Sequence, residues 1–182
     1  MDSLKKEYTL KPFKDVSHPF SIQTRVALAN KKLLLSFELE GDLETILIPG
    51  QKINPSRAIG LWNQTCFECF LKSNQDHQYI EFNFSPSHDW NCFHFLSLSD
   101  ELKEWGQVKD IVIESKITSN TIVLMAKIDL KHLPSALQNT HELKISTTAV
   151  ISTDKGLSYW AIKHMDDRPN FHHPESYVKL SS

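Results

Sequence analysis

Ten short runs of aliphatic, β-branched and aromatic residues, broken by turn-forming residues, leave this chain little alternative to antiparallel sheet. They are SIQTRVALAN, KLLLSFELEG, LETILIP, TCFECFLK, QYIEFNFSP, WNCFHFLS, DIVIESKITSN, TIVLMAKIDL, ELKISTTAVIS and LSYWAIKH. Each is too short for a typical helix and shows period-two patterning, or an apolar run of strand length. Strand runs that succeed one another without intervening helical patterns favour an all-β antiparallel sandwich over strand–helix units. Helix is confined to connectors. SDELKEWG, with Ser99 as cap and Gly106 as stop, predicts a turn or two, and DLKHLPSAL predicts a short turn after the strand ending near Asp129. Residues 49 to 60, PGQKINPSRAIG, read as a long surface loop.

At 182 residues the chain suits one domain, 1–182, with a substantial core. A hydrophobic fraction of 40%, a charged fraction of 23% and a net charge of −2 exclude both disorder and a strongly basic nucleic-acid surface. They point instead to a small-molecule or protein partner. The amino-terminal stretch MDSLKKEYTLKPFKD has no apolar signal-peptide core, and no run approaches the length of a membrane span. A cytoplasmic location with no membrane partner is therefore expected. Cys66, Cys69 and Cys92 sit inside strand-like aromatic runs and read as reduced, buried thiols without a disulfide.

Three runs carry polar residues that neither a solvated face nor a plain core calls for. In YIEFNFSPSHDWNCFHF, residues 79 to 95, Ile80, Phe82, Phe84, Phe93 and Phe95 alternate with Tyr79, Glu81, Asn83, Trp90, Cys92 and His94. Opposed residues of an antiparallel pair point to one face, so placing Phe82 beside Phe93 predicts Glu81 opposite His94 and Asn83 opposite Cys92. That register needs an even-length connection, such as Ser85 to Trp90, or a bulge. In GLWNQTCFECFL, Glu68 is the charged residue of an apolar strand. In SYWAIKHMDDRPNFHHPESY, Trp160 and His164 share a strand face, and Asp166, Asp167, Arg168, Asn170, His172 and His173 crowd the irregular segment beyond them.

Rings next to carboxylates, amides and an arginine suit a sugar, whose C–H faces pack on an indole and whose hydroxyls bind planar polar groups. Trp62, Trp90 and Trp160 are the candidate platforms, against the commoner fate of tryptophan as core filling. Glu68, Glu81, Asn83, His94, His164, Arg168 and His172 are the candidate polar contacts. Competing chemistries are weaker. Cys66 and Cys69 point to opposite strand faces, so they cannot share a zinc ion. Cys92 and His94 share a face and could form a metal site with His164, His172 or His173. His164 and Met165 are each an axial haem ligand by type, but as neighbours on a strand they diverge. Glu68 and Glu81 could act as the acid and base of a glycosidase if their carboxyls lie about 5 to 10 Å apart. A phosphate loop, a nucleophile elbow and a His-Glu-x-x-His run are all missing, so the expectation is a non-catalytic protein without a cofactor.

Taken in order, LWNQTCFECFL, YIEFNFSPSHDW and YWAIKHMDDRPNFHHP resemble the DOMON-like domains related to family 9 carbohydrate-binding modules. The similarity is strongest to the subgroup sometimes attached to the flavin-dependent reductase of peptidoglycan precursor synthesis. The resemblance implies a β-sandwich with its ligand site on a sheet face or rim. It further implies a sugar held between aromatic rings, or haem, as in other DOMON domains. It marks Trp62, Glu68, Glu81, Asn83, Trp90, Trp160, His164 and His172 as the motif residues. Structural calcium, known in some family 9 modules, has no dense carboxylate loop to hold it here.

Overall fold

The computed structural model describes residues 4–14, 18–75, 77–98 and 100–180. The described residues form eleven antiparallel strands: β1 (Leu4–Pro12), β2 (Phe20–Ala29), β3 (Lys32–Gly41), β4 (Cys66–Ser73), β5 (Tyr79–Phe84), β6 (Trp90–Phe95), β7 (Val112–Ile117), β8 (Thr121–Asp129), β9 (Leu143–Thr153), β10 (Gly156–Ala161) and β11 (Val178–Lys179). Their hydrogen-bonded order is β6-β5-β4-β9-β10-β1-β2-β3-β8-β7, with β11 on β9. Strand β1 joins the two halves: Leu4 to Leu10 pair with β2, while Lys11 and Pro12 cross to Ala161 and Trp160 of β10. The sheet thereby curls into an all-β sandwich. Phe37 of β3 meets Phe67 of β4 and Phe84 of β5 across the core, at ring separations of 5.2 and 6.4 Å.

The halves differ in how their outer faces are treated. In β2, β3 and β8 the inward residues are Phe20, Ile22, Val26 and Leu28, then Leu33, Leu35, Phe37 and Leu39, then Ile122, Leu124, Ala126 and Ile128. Their alternate residues reach water, the pattern of a sheet with one solvated face. Asn30 and Lys31, at φ 51° and 58°, close the β2–β3 hairpin in two left-handed residues, the turn that matches strand twist. In β4 and β5, by contrast, residues on both faces are buried. The second face has something on top of it.

The register of β5 and β6 differs from the sequence expectation. Phe82 lies opposite Cys92, Glu81 opposite Phe93, Asn83 opposite Asn91, and Phe84 opposite Trp90. The turn explains the shift. Ser85 N–H donates to Asp89 O at 2.9 Å and His88 N–H to Ser85 O at 2.9 Å, leaving the three-residue loop Pro86–His88 with His88 left-handed at φ 73°. A tight turn with proline at its second position, closed by a left-handed residue, is a standard three-residue hairpin. An odd loop moves the pairing by one residue, and one residue exchanges every side chain between faces. Ile80, Phe82 and Phe84 therefore share the core with Trp90 and Cys92, and Tyr79, Glu81 and Asn83 face outward with Asn91, Phe93 and Phe95.

Two further expectations change. The described residues of the predicted 99–106 helix form no helix: Glu104 bridges to Phe93 and Gly106 lies in a turn, and Ser99 lies outside the described residues. Lys103 O accepts from His94 N–H at 2.9 Å, and Trp105 N–H donates to Cys92 O at 2.8 Å, so this segment covers the free edge of β6. A helix this short has little stability of its own, and edge pairing replaces it. LETILIP makes only an isolated bridge, Ile46 to Thr153, its Leu43 and Ile46 plugging the core. The connector after Asp129 is indeed short, as 3-10 turns at Leu130–His132 and Ser135–Leu137. Among the described residues no helix is long and apolar enough to cross a membrane.

Candidate functional site

The outer face of β4, β5 and β9 forms the floor of a cleft of about 420 Å³. Strand pairing sets the floor: Glu68 lies between Asn83 and Thr148, and Phe70 between Glu81 and Ser146. Trp62 stands on the 3-10 turn Leu61–Asn63, which Gly60 enters at φ 80°, and its ring rests edge-on against Phe93 at 5.8 Å. Tyr159 of β10 and the segment Pro169–His172 complete the wall, with Asn63, Leu102 and Leu157 at the mouth. Phe171 is steered over the cleft by Phe70 and Tyr159, at 6.4 and 6.2 Å.

Two acids lie at the bottom, with Glu68 2% and Glu81 5% exposed. Asn83 donates its amide to Glu81 Oε1 at 2.7 Å, and Thr148 its hydroxyl to Glu68 Oε2 at 3.0 Å. Burial dominates their chemistry because it penalises the charged form. It pushes Glu81 up to about 7 against the pull of Asn83. Glu68 stands well above the usual carboxylate range, through burial first and then the charge of Glu81, with Thr148 pulling the other way. Burial and the Glu68 charge hold Cys66 as a thiol, 3.6 Å from Asn83 Oδ1. His172 is pushed down by burial. Its Nδ1 is 2.9 Å from the Tyr79 hydroxyl, and its Nε2 is 3.9 Å from Glu81 Oε2, beyond a hydrogen bond. The floor thus holds two carboxyls that burial biases toward the protonated form, with hydrogen-bonding groups and rings around them. Such a lining matches the chemistry of polar molecules with flat apolar faces.

Of the residues singled out from the sequence, Trp62, Glu68, Glu81 and His172 line the cleft, and Asn83 supports Glu81 from beneath. The others lie elsewhere. Trp90, 5% exposed, and Trp160, 3% exposed, are core residues and not platforms. Trp90 carries the Arg57 guanidinium 4.4 Å above its ring. Trp160 packs on His18 and Phe20 at 4.8 and 5.2 Å and donates its indole N–H to Ser158 Oγ at 3.0 Å. Both are placed by strand alternation, opposite Phe84 and Ala149 on the core face. His94 shares that face of β6, against Trp105 at 4.9 Å and with Nε2 3.0 Å from Gln78 Oε1. His164 binds Lys11 O at 2.9 Å beside Phe13, and Arg168 is exposed outside the cleft. The metal set suggested by the sequence does not converge: Cys92 lies on the core face of the sheet and His172 on the other side. Phe70, Tyr159 and Phe171 are the cleft rings the sequence reading passed over. Phe70 was visible as the alternation partner of Glu68, and Tyr159 as the opposite-face neighbour of Trp160; nothing in the pattern marked Phe171.

The fold resembles that of a crystal structure from Bacteroides uniformis ATCC 8492 described as a "putative carbohydrate-binding protein". The TM-score is 0.68 at 13% identity, over 95% of this chain and 83% of that one. At that identity the likeness is one of fold. No protein-family model and no curated protein matches the chain.

Proposed function

We propose that the chain is a non-catalytic DOMON-like module that binds a small sugar or sugar-derived metabolite in the cleft above Glu68 and Glu81. The carrying observation is the convergence of Trp62, Phe70, Tyr159 and Phe171 on two buried carboxyls in one open hollow. Rings supply faces for sugar C–H groups, and carboxyls, which accept as anions and also donate when protonated, fit paired hydroxyls. The sequence resemblance to family 9 carbohydrate-binding modules and the likeness of fold to the Bacteroides uniformis protein support the same reading.

Calorimetric titration and thermal-shift screens with monosaccharides, amino sugars and nucleotide sugars test it. A binding sugar should lose about 2 kcal/mol, roughly thirty-fold in Kd, on Trp62→Ala, while the variant keeps its cooperative melt. Undiminished affinity in that variant removes the cleft from consideration.

Because the two carboxyls share one accessible hollow, a glycosidase reading also has an observation in its favour. Release of nitrophenol from aryl glycosides, abolished by Glu68→Gln and by Glu81→Gln, would replace the binding module with an enzyme.

A further inference from the structure

The cleft has charge of one sign available and nothing to balance it. Its lining contains Glu68 and Glu81 but, among the described residues, no lysine or arginine. Facing Glu81 are Glu68 and Cys66 of β4, Tyr79 of its own strand, Tyr159 of β10, and His172 and Tyr177 of the C-terminal segment. β9 presents Ser146, Thr148 and Val150 there and β6 presents Asn91 and Phe93, with Asn91 held by Arg57 and Glu104, while the Glu81 charge also reaches Cys92 on the core side of β6. Among the described lining residues His172 is the one group able to become a cation, and its burial opposes that. Among the described residues the Thr148 hydroxyl is the only hydrogen-bond partner of Glu68, which leaves its second carboxyl oxygen without one.

A bound cation would answer this imbalance. Stacked against it, the faces of Trp62, Phe70, Tyr159 and Phe171 attract positive charge through their quadrupoles. Carboxylates beneath such rings make the combination selective for an ammonium group over a neutral hydroxyl. We propose that the cleft is specific for an amino sugar in its protonated form, the ammonium seated against Glu68 and Glu81 and the sugar ring against Trp62. The inference rests on the sugar-binding reading given above. It adds a proton balance: the ammonium binds the ionised acids, so whatever fraction of the carboxyls is protonated gives up its proton to solvent as the ligand enters.

Isothermal titration at pH 7.5 with glucosamine, galactosamine, their N-acetyl forms, glucose and methylammonium chloride separates the two claims. The hexosamines should bind at least ten-fold tighter than glucose or the N-acetyl sugars. Glu68→Gln and Glu81→Gln, checked for an intact thermal melt, should erase that preference. Binding enthalpy at pH 6.5, where the amine is already protonated, should vary with the ionisation enthalpy of the buffer, reporting proton release, and hexosamine affinity should fall at least ten-fold from pH 7.5 to 5.5 in the native chain but not in the double variant Glu68→Gln with Glu81→Gln. Glucose or N-acetylglucosamine binding as tightly as glucosamine overturns the amine specificity and leaves the sugar site standing. Methylammonium binding without any sugar overturns the sugar reading and the amino-sugar proposal together, and a blank result with every probe does the same.

Discussion

Replacing Glu81 by glutamine should stabilise the protein at alkaline pH and do almost nothing at acid pH. The carboxyl has an ordinary value of 4.5 and is lifted to about 7 by burial in the folded chain. At about 1.36 kcal/mol for each tenfold change in proton affinity, that gap is worth about 3 kcal/mol. Below pH 4.5 the acid is protonated whether the chain is folded or not, and contributes nothing. From there to about 7 the folded chain keeps a proton that the unfolded chain has released, so stability falls as pH rises. Above 7 both forms are ionised and the folded chain carries the whole cost. The glutamine side chain would keep an acceptor for the Asn83 amide, which donates to Glu81 Oε1 at 2.7 Å, and would lose the charge. The expected gain over native is therefore near zero at pH 4.5 and up to about 3 kcal/mol at pH 8, or roughly 6 to 12 °C in Tm. Removing one charge also eases Glu68, whose ionisation Glu81 opposes, so the double Glu→Gln variant should show the flattest profile. Urea unfolding across the pH range, read as the difference between variant and native, measures this directly. A difference that does not change with pH, or that shrinks as pH rises, refutes the burial of these carboxyls.

Three other substitutions probe the surroundings. Trp90→Ala should cost about 3 to 5 kcal/mol in urea unfolding by opening a core cavity beneath Arg57, while any sugar affinity of the folded fraction persists. Tyr177→Phe removes a buried hydroxyl that has no hydrogen-bond partner among the described residues, so the melting temperature should hold or rise, by the equivalent of up to about 1 kcal/mol. His88→Val places a β-branched residue at φ 73° and breaks the 2.8 Å contact of His88 Nε2 with Ser115 Oγ, for a loss of about 2 kcal/mol in chemical denaturation.

The sandwich was legible because β2, β3 and β8 face water on one side, and a solvated face writes period two into the sequence. Strand β1 escaped notice for the same physical reason. Its inward series runs Leu4, Lys6, Tyr8, Leu10, and a lysine among four positions hides the alternation, although Lys6 still reaches Lys179 O at 3.0 Å. LETILIP misled in the opposite direction: its apolar residues serve as plugs at the rim of the core, which needs no strand period. The helix expected over 99–106 was outweighed by tertiary demand. Arg57 takes the carbonyls of Trp105 and Val108 at 3.1 and 2.5 Å, and Trp105 itself donates its indole N–H to His132 O, so the backbone there is already committed.

The cleft was half legible, and the half that failed turns on three residues. Glu68 and Glu81 stood out because burying a lone carboxylate in an apolar strand is costly, and that reasoning does not depend on register. The choice of ring platforms did depend on it. Pairing Phe82 with Phe93 assumes that phenylalanines seek one core, but Phe70, Phe93, Phe95 and Tyr177 form a second apolar cluster on the far side of the same sheet. With aromatic residues on both faces, hydrophobicity cannot fix the register, and the decision passes to the turn. Pro86, Ser87 and His88 supply it: proline fits the second position of a tight turn, and histidine is among the few residues that tolerate a left-handed backbone. Had the loop been read before the strands, its odd length would have sent Trp90 inward with Phe84 and left Glu81 facing outward with Asn83. The turn, more than any strand around it, determines which side chains face the cleft.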